Sequence, residues 1–279
     1  MRNKPIIFFT SILLVACWNN KNNTQEQQSE PEEKTVSTDT IQFKRCNYNI
    51  KRNIYESKYP CYEIHVDVQY ADGNQRVSET INKQLVTFLF GNSIMPFDKA
   101  KEHFIDSLSM DFEKDLKEFY DPDNEHEDTY AYEYKIVGKA SDNSPIGIIA
   151  YTNRIETYTG GAHGGALESY INFRKDTGSI ITCQDVFGNK QDEVISMIKD
   201  QIVKDNDCKS AEELEEKRGI FSLGDVYLSD NNFLLQKDGI LFCYNPYDIA
   251  PWSEGFTFTK LTYKQLEGYV NQEIFSTNK

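Results

Sequence analysis

Four glycines surround one histidine in the stretch Gly160-Gly161-Ala162-His163-Gly164-Gly165. Glycine reaches positive φ without steric cost and lets another backbone come close, so such a loop can turn amides toward an anion or lie flat against a partner. A tight connection in which only glycine fits would read the same way, and Gly160, Gly161, His163 and Gly164 are candidates for either role. No Gly-Lys-Ser/Thr closes the loop, so it is not a phosphate-binding P-loop. His163 also lacks a second histidine at metal-ligand spacing. A second constellation, Asp121 to Asp128, places five carboxylates in eight residues. Calcium suits such oxygens, but an EF-hand loop needs glycine at its sixth position, where His126 stands, and most acidic runs are solvated loops. The third is Asn245 to Gly255, an aromatic loop with rigid Pro246 and Pro251 that carries Tyr247, Asp248 and Trp252. They would anchor a protein or a sugar ring, or else cover a sheet.

These residues allow one catalytic reading. His163 would act as a general base, with a carboxylate from the 121–128 run or Asp248 as its partner, in a hydrolase of cell-wall material. Thiol chemistry has less to offer. Besides Cys17 the chain has Cys46, Cys61, Cys183, Cys208 and Cys243, and an odd number leaves at least one unpaired within a monomer. Cys46 and Cys61 flank an expected hairpin whose strands would bring them within disulfide distance; otherwise they are small buried hydrophobes. No Cys or His spacing suggests zinc, and neither metal nor cofactor is expected.

The elements that position these groups can be read from periodicity. Cys61 to Tyr70 alternates with a period of two, as a half-buried strand does. Ser78 to Phe90 and Asp98 to Phe119 carry apolar residues at helical spacing. Tyr130 to Ala140 and Ile146 to Tyr158 read as a hairpin joined by Ser141 to Pro145. Ala166 to Lys175 should be a strand that returns through Ser179 to Cys183. Helices are expected at Gln191 to Lys204 and from Ser210 onward, then short strands at Asn232 to Gln236, Ile240 to Tyr244 and Phe256 to Thr259. Thr262 to Tyr269 reads as a terminal helix. Strands interrupted by helices without strict alternation argue an α+β fold of two packed subdomains, 41–158 and 159–273, each a mainly antiparallel sheet with helices on one face.

Composition narrows the partners. Of 279 residues 39% are hydrophobic and 13% aromatic, enough for a sizeable core. Forty-four acidic against 30 basic residues give −14, which repels nucleic acid. At the N-terminus Arg2 and Lys4 precede the apolar run Ile6 to Val15, as in a secretion signal over 1–16. Leu14-Val15-Ala16-Cys17 is similar to a bacterial lipobox, so Cys17 is expected to carry the acyl chains that tether the protein to a membrane. Polar residues 17–40 then form a leash without a core. The expected place is the bacterial cell envelope, at the outer membrane or its periplasmic face.

Longer stretches resemble known families. Gly160 to Gly164, Asp176-Thr177-Gly178 leading to Asp185-Val186-Phe187, and Asn232 to Phe242 with Pro246 to Ala250 look like the C-terminal sensor region of RsiV-type anti-sigma factors. Tyr59-Pro60 through Ile81-Asn82 is similar to the N-terminal domain of PdaC-type deacetylases. The resemblance implies paired α+β domains of an envelope protein that binds a lysozyme-like protein or a peptidoglycan-related glycan. It does not carry sigma-factor control or deacetylation here, because the matching segments are missing. A non-catalytic binding lipoprotein is therefore the leading expectation.

Overall fold

A computed structural model describes residues 40–92, 94–218 and 222–275. The expected leader, Cys17 and the leash up to residue 39 lie outside the described residues. The fold is α+β, with one five-stranded and one three-stranded sheet.

The larger sheet has the order β1-β2-β3-β4-β5. β1 (Gln42–Asn53) pairs antiparallel with β2 (Cys61–Asp72), and β3 (Ala131–Ala140), β4 (Ile148–Tyr158) and β5 (Gly165–Arg174) continue as an antiparallel meander. Only β2 and β3 run parallel, which requires a long crossover. Helices α1 (Gln75–Phe90) and α2 (Phe97–Phe119) supply it. α1 starts where the Asn74 side chain accepts from the Val77 amide at 3.3 Å and stops at Gly91, which is left-handed. Its Ile81 and Leu85 are fully buried, as are Ile64, Val66 and Val68 on the facing side of β2. The alternate β2 residues Glu63, His65 and Asp67 face away, which is what a period of two dictates.

The sheet runs on past residue 158, the boundary expected between subdomains, because β5 pairs with β4 from Thr157–Gly165 to Ile148–Arg174. The smaller antiparallel sheet consists of β6 (Phe233–Gln236), β7 (Gly239–Tyr244) and β8 (Thr257–Thr262). Around it lie α3 (Cys183–Phe187), α4 (Gln191–Asp205) and α5 (Ala211–Arg218). Val194, Ile198 and Ile202 of α4 share a core with Phe233, Phe242 and Leu261. A seam of Ala150, Tyr170, Leu234 and Cys243 joins the two sheets. Within it the fully buried Asn172 donates to the Phe233 carbonyl at 2.9 Å and accepts from the Leu235 amide at 3.0 Å.

Three expectations need correction. Residues 179–183 form no returning strand: after a single bridge between Phe173 and Ile180, the Asp185 carboxylate takes the Thr182 amide at 2.9 Å and starts α3. Thr262 still belongs to β8, and 263–269 is a series of turns rather than a helix, with Gly268 at φ +84°. Cys46 and Cys61 are free thiols, because the register pairs Cys46 with Val68 and Cys61 with Asn53. Seven rows separate them, roughly 23 Å along the strands, against a limit of about 7 Å between the Cα atoms of a disulfide.

Candidate functional site

The pairing directions place the end of β1, the starts of β2 and β3, the end of β4 and the start of β5 at one end of the larger sheet. The connections 54–60, 120–130 and 159–164 therefore gather there. The connection that follows the acidic run touches the glycine loop: the Thr129 carbonyl lies 3.0 Å from where a Cβ on Gly160 would stand. Gly160 and Gly161 have φ of +82° and +96°, the left-handed region that side chains disfavour. A Cβ on Gly164 would run into the Thr157 carbonyl. The turn thus demands its glycines, and the Tyr158 hydroxyl closes it by donating to the Gly161 carbonyl at 3.2 Å.

This turn carries His163 outward, with Nδ1 2.9 Å from the Gly164 carbonyl. Its ring lies on Trp252 at 4.6 Å between centroids and 10° between planes. Tyr247 follows on the same indole, 6.4 Å away and 30° inclined. The fold therefore brings together His163, Trp252 and Tyr247 from two loops far apart in sequence. Tyr247 is 66% exposed on a left-handed backbone, φ +77°. A non-glycine residue persists in that region only where its surroundings over-determine it. Here the Tyr247 amide donates to the Ala250 carbonyl at 2.8 Å, and the Asn245 amide donates to Asp248 Oδ2 at 2.7 Å.

Asp248 is occupied by this loop and does not serve His163. The Tyr227 hydroxyl donates to it at 3.0 Å, and burial with that neighbouring charge pushes Tyr227 up to about 12. Asn245 Oδ1 in turn accepts from the Glu168 amide at 2.6 Å, which hooks the aromatic loop to β5. Tyr227, Glu168 and Asn245 as positioning groups escaped the sequence reading, since no motif marks them and their partners are distant in the chain. The same is true of Arg154, whose guanidinium sits 4.6 Å over Phe256 and 3.7 Å from Glu168. Burial raises the Glu168 carboxyl above its ordinary value against the pull of Arg154.

The acidic run is internally bonded, with Asp121 Oδ1 accepting from the Asp123 amide at 3.0 Å. Among the described residues no group of three His, Cys, Asp or Glu is placed to hold a metal ion. A file of tyrosines, Tyr55, Tyr120 and Tyr130, stands at the same end with centroids 5.9 and 5.2 Å apart. Three separate segments contribute them, which hid the file from sequence analysis.

Residues 184–264 match the family model described as a protein of unknown function, DUF3298. The DUF3298 match runs from α3 to β8 and holds Tyr247, Asp248 and Trp252, whereas the glycine loop precedes it. A solved DUF3298 family member from Bacteroides fragilis NCTC 9343 is similar at 22% identity and TM-score 0.73, covering 85% of this chain and 96% of that one. Another from Pseudomonas aeruginosa PAO1 is similar at 15% identity and TM-score 0.59, covering 87% and 100%. At such identities the likeness is one of fold. No curated protein matches the chain.

Proposed function

We propose that the chain is a non-catalytic envelope lipoprotein, anchored through Cys17, that recognises a lysozyme-like protein or a peptidoglycan-related glycan at the His163–Trp252–Tyr247 surface. The observation that carries this reading is the aromatic stack itself, three rings from two loops with Tyr247 held outward on a strained backbone. Flat rings suit a sugar face or a protein side chain. The carboxylates of 121–128 lie in a connection at the same end of the sheet as the glycine loop, and in a chain of net charge −14 they favour a basic partner by attraction at a distance.

A hydrolase has less behind it: His163 is stacked and bonded to its own loop, and Asp248 is bonded to Tyr227 and Asn245. Calorimetry against lysozyme and against soluble peptidoglycan fragments tests the proposal. Binding of either, weakened at least tenfold in Trp252→Ala, is expected; silence toward both would discard these ligands.

A further inference from the structure

A groove of about 870 Å³ opens where α1 faces β5 and the turn that follows it, away from the aromatic stack. Phe88, Ile171 and Ile180 give it an apolar lining, and Lys83, Gln84 and Asn231 stand among its polar residues. Its walls are fixed by packing. Gly178, at φ +74°, comes so close to α1 that a Cβ there would stand 2.9 Å from the Val77 carbonyl. Gln84 Nε2 ties that turn to the helix, donating to the Gly178 carbonyl at 2.7 Å and to the Thr80 carbonyl at 3.1 Å. On the far side the Asn231 carbonyl accepts from the Tyr170 amide at 2.8 Å, and Ile180 is bridged to Phe173. The groove is therefore preformed, not a gap between loose loops.

We propose that this groove binds a small anionic amphipath, a single short apolar tail ending in one carboxylate. Its volume falls in the range of roughly 300 to 1,000 Å³ usual for small-molecule sites, and such sites combine apolar walls with a few polar groups. Charge selects the sign of the ligand. Among the described residues Lys83 is the sole charged member of the lining and no carboxylate shares it, in a chain that has 44 acidic residues against 30 basic ones. Lys83 forms no ion pair with any carboxylate among the described residues. Its ammonium, on a flexible stem at the rim, meets the head group while the tail lies along Phe88, Ile171 and Ile180. A cationic amphipath of the same length finds the wrong charge there.

Isothermal titration of the full chain with decanoate, octanoate and decylammonium, all below their micelle concentrations, tests this. One decanoate per chain is expected. Octanoate, shorter by two methylenes, should bind on the order of tenfold more weakly, since each buried methylene is worth about fourfold. Lys83→Glu, at an exposed helix position, should weaken decanoate at least tenfold while leaving decylammonium no weaker. Thr87→Trp, which fills the groove from α1, should weaken decanoate tenfold with an unchanged circular dichroism spectrum. Absence of decanoate binding, or binding that both variants leave intact, would overturn the assignment. Neither result bears on the aromatic stack, which is read with different ligands.

Discussion

The His163 imidazole lies flat on the Trp252 indole, with centroids 4.6 Å apart and planes 10° from parallel. The contact joins the β4–β5 turn to the β7–β8 loop, and it shields one face of the indole from water. In a Trp18→Phe background, so that Trp252 alone emits, His163→Ala should shift the fluorescence maximum to longer wavelength. Because His163 is exposed, the same change should leave the melting temperature within about 2 °C, a loss below about 1 kcal/mol. An emission maximum identical to that of the parent would remove the stack from consideration.

The glycine turn should be far less tolerant than the histidine it presents. Gly161 sits at φ +96° with nothing within 4 Å of an added Cβ, so Gly161→Val is opposed by backbone strain alone, about 1 to 3 kcal/mol. Gly164→Ala is opposed instead by a collision with the Thr157 carbonyl, which belongs to β4 and cannot swing aside. Urea unfolding should therefore rank Gly164→Ala below Gly161→Val, and both below His163→Ala. Equal midpoints for Gly161→Val and His163→Ala would contradict a conformational role for that glycine.

Much of this architecture is legible in the chain. The alternation of Ile64, Val66 and Val68 and the helical spacing of Ile81, Leu85 and Leu89 are local consequences of burying one face, and they survive in the structure. Register is another matter. That Cys46 faces Val68 depends on where the 54–60 connection turns, and no period encodes it. The parallel pairing of β2 with β3 is likewise fixed by how α1 and α2 cross the sheet. Glycine clustering marked one loop and aromatic residues the other, yet their meeting at His163 and Trp252 is tertiary. The capping box of Thr182 and Asp185 lies in the residues themselves, and it starts a helix where a returning strand is expected from the turn at Asp176 to Gly178.

The register also sets thiol chemistry. Cys46 is only partly buried and has the Lys101 ammonium 3.6 Å from its sulfur, whereas Cys61, Cys183, Cys208 and Cys243 are buried. Burial pushes Cys183 and Cys243 up to about 12, so almost no thiolate forms at either near pH 8. Of these five, iodoacetamide should modify Cys46 first in the folded protein, and the other four together only on unfolding. A mass two hydrogens short on the peptide pair holding Cys46 and Cys61 would instead demonstrate the bridge that the register forbids.

Asn172 joins the two sheets more firmly than its size suggests. It is fully buried, and its amide satisfies both the Phe233 carbonyl and the Leu235 amide. Truncation to alanine strands two buried backbone groups in the seam, each worth about 1 to 3 kcal/mol when left unpaired. Asn172→Ala should therefore lower stability by about 3 kcal/mol, read as the shift in a urea transition. A loss under 1 kcal/mol would mean that the strands adjust to pair without it.

Glu168 makes stability depend on pH in a direction opposite to that of an ordinary surface carboxylate. Burial raises its folded value above that of the unfolded chain, about 4.3, in spite of Arg154 at 3.7 Å. Lys139 pulls the same way as Arg154, while Glu156 adds to the rise and Tyr170 lies within hydrogen-bonding reach. Between the unfolded and folded values the native state holds the extra proton, so its contribution is complete below pH 4 and is lost as pH climbs through the folded value. Glu168→Gln has no proton to lose, and Arg154 keeps Glu156 at 2.9 Å. The difference in melting temperature, variant minus parent, should therefore grow from pH 4 to pH 7. A difference that is flat or shrinks over that interval would show that Arg154 holds Glu168 ionised and outweighs its burial.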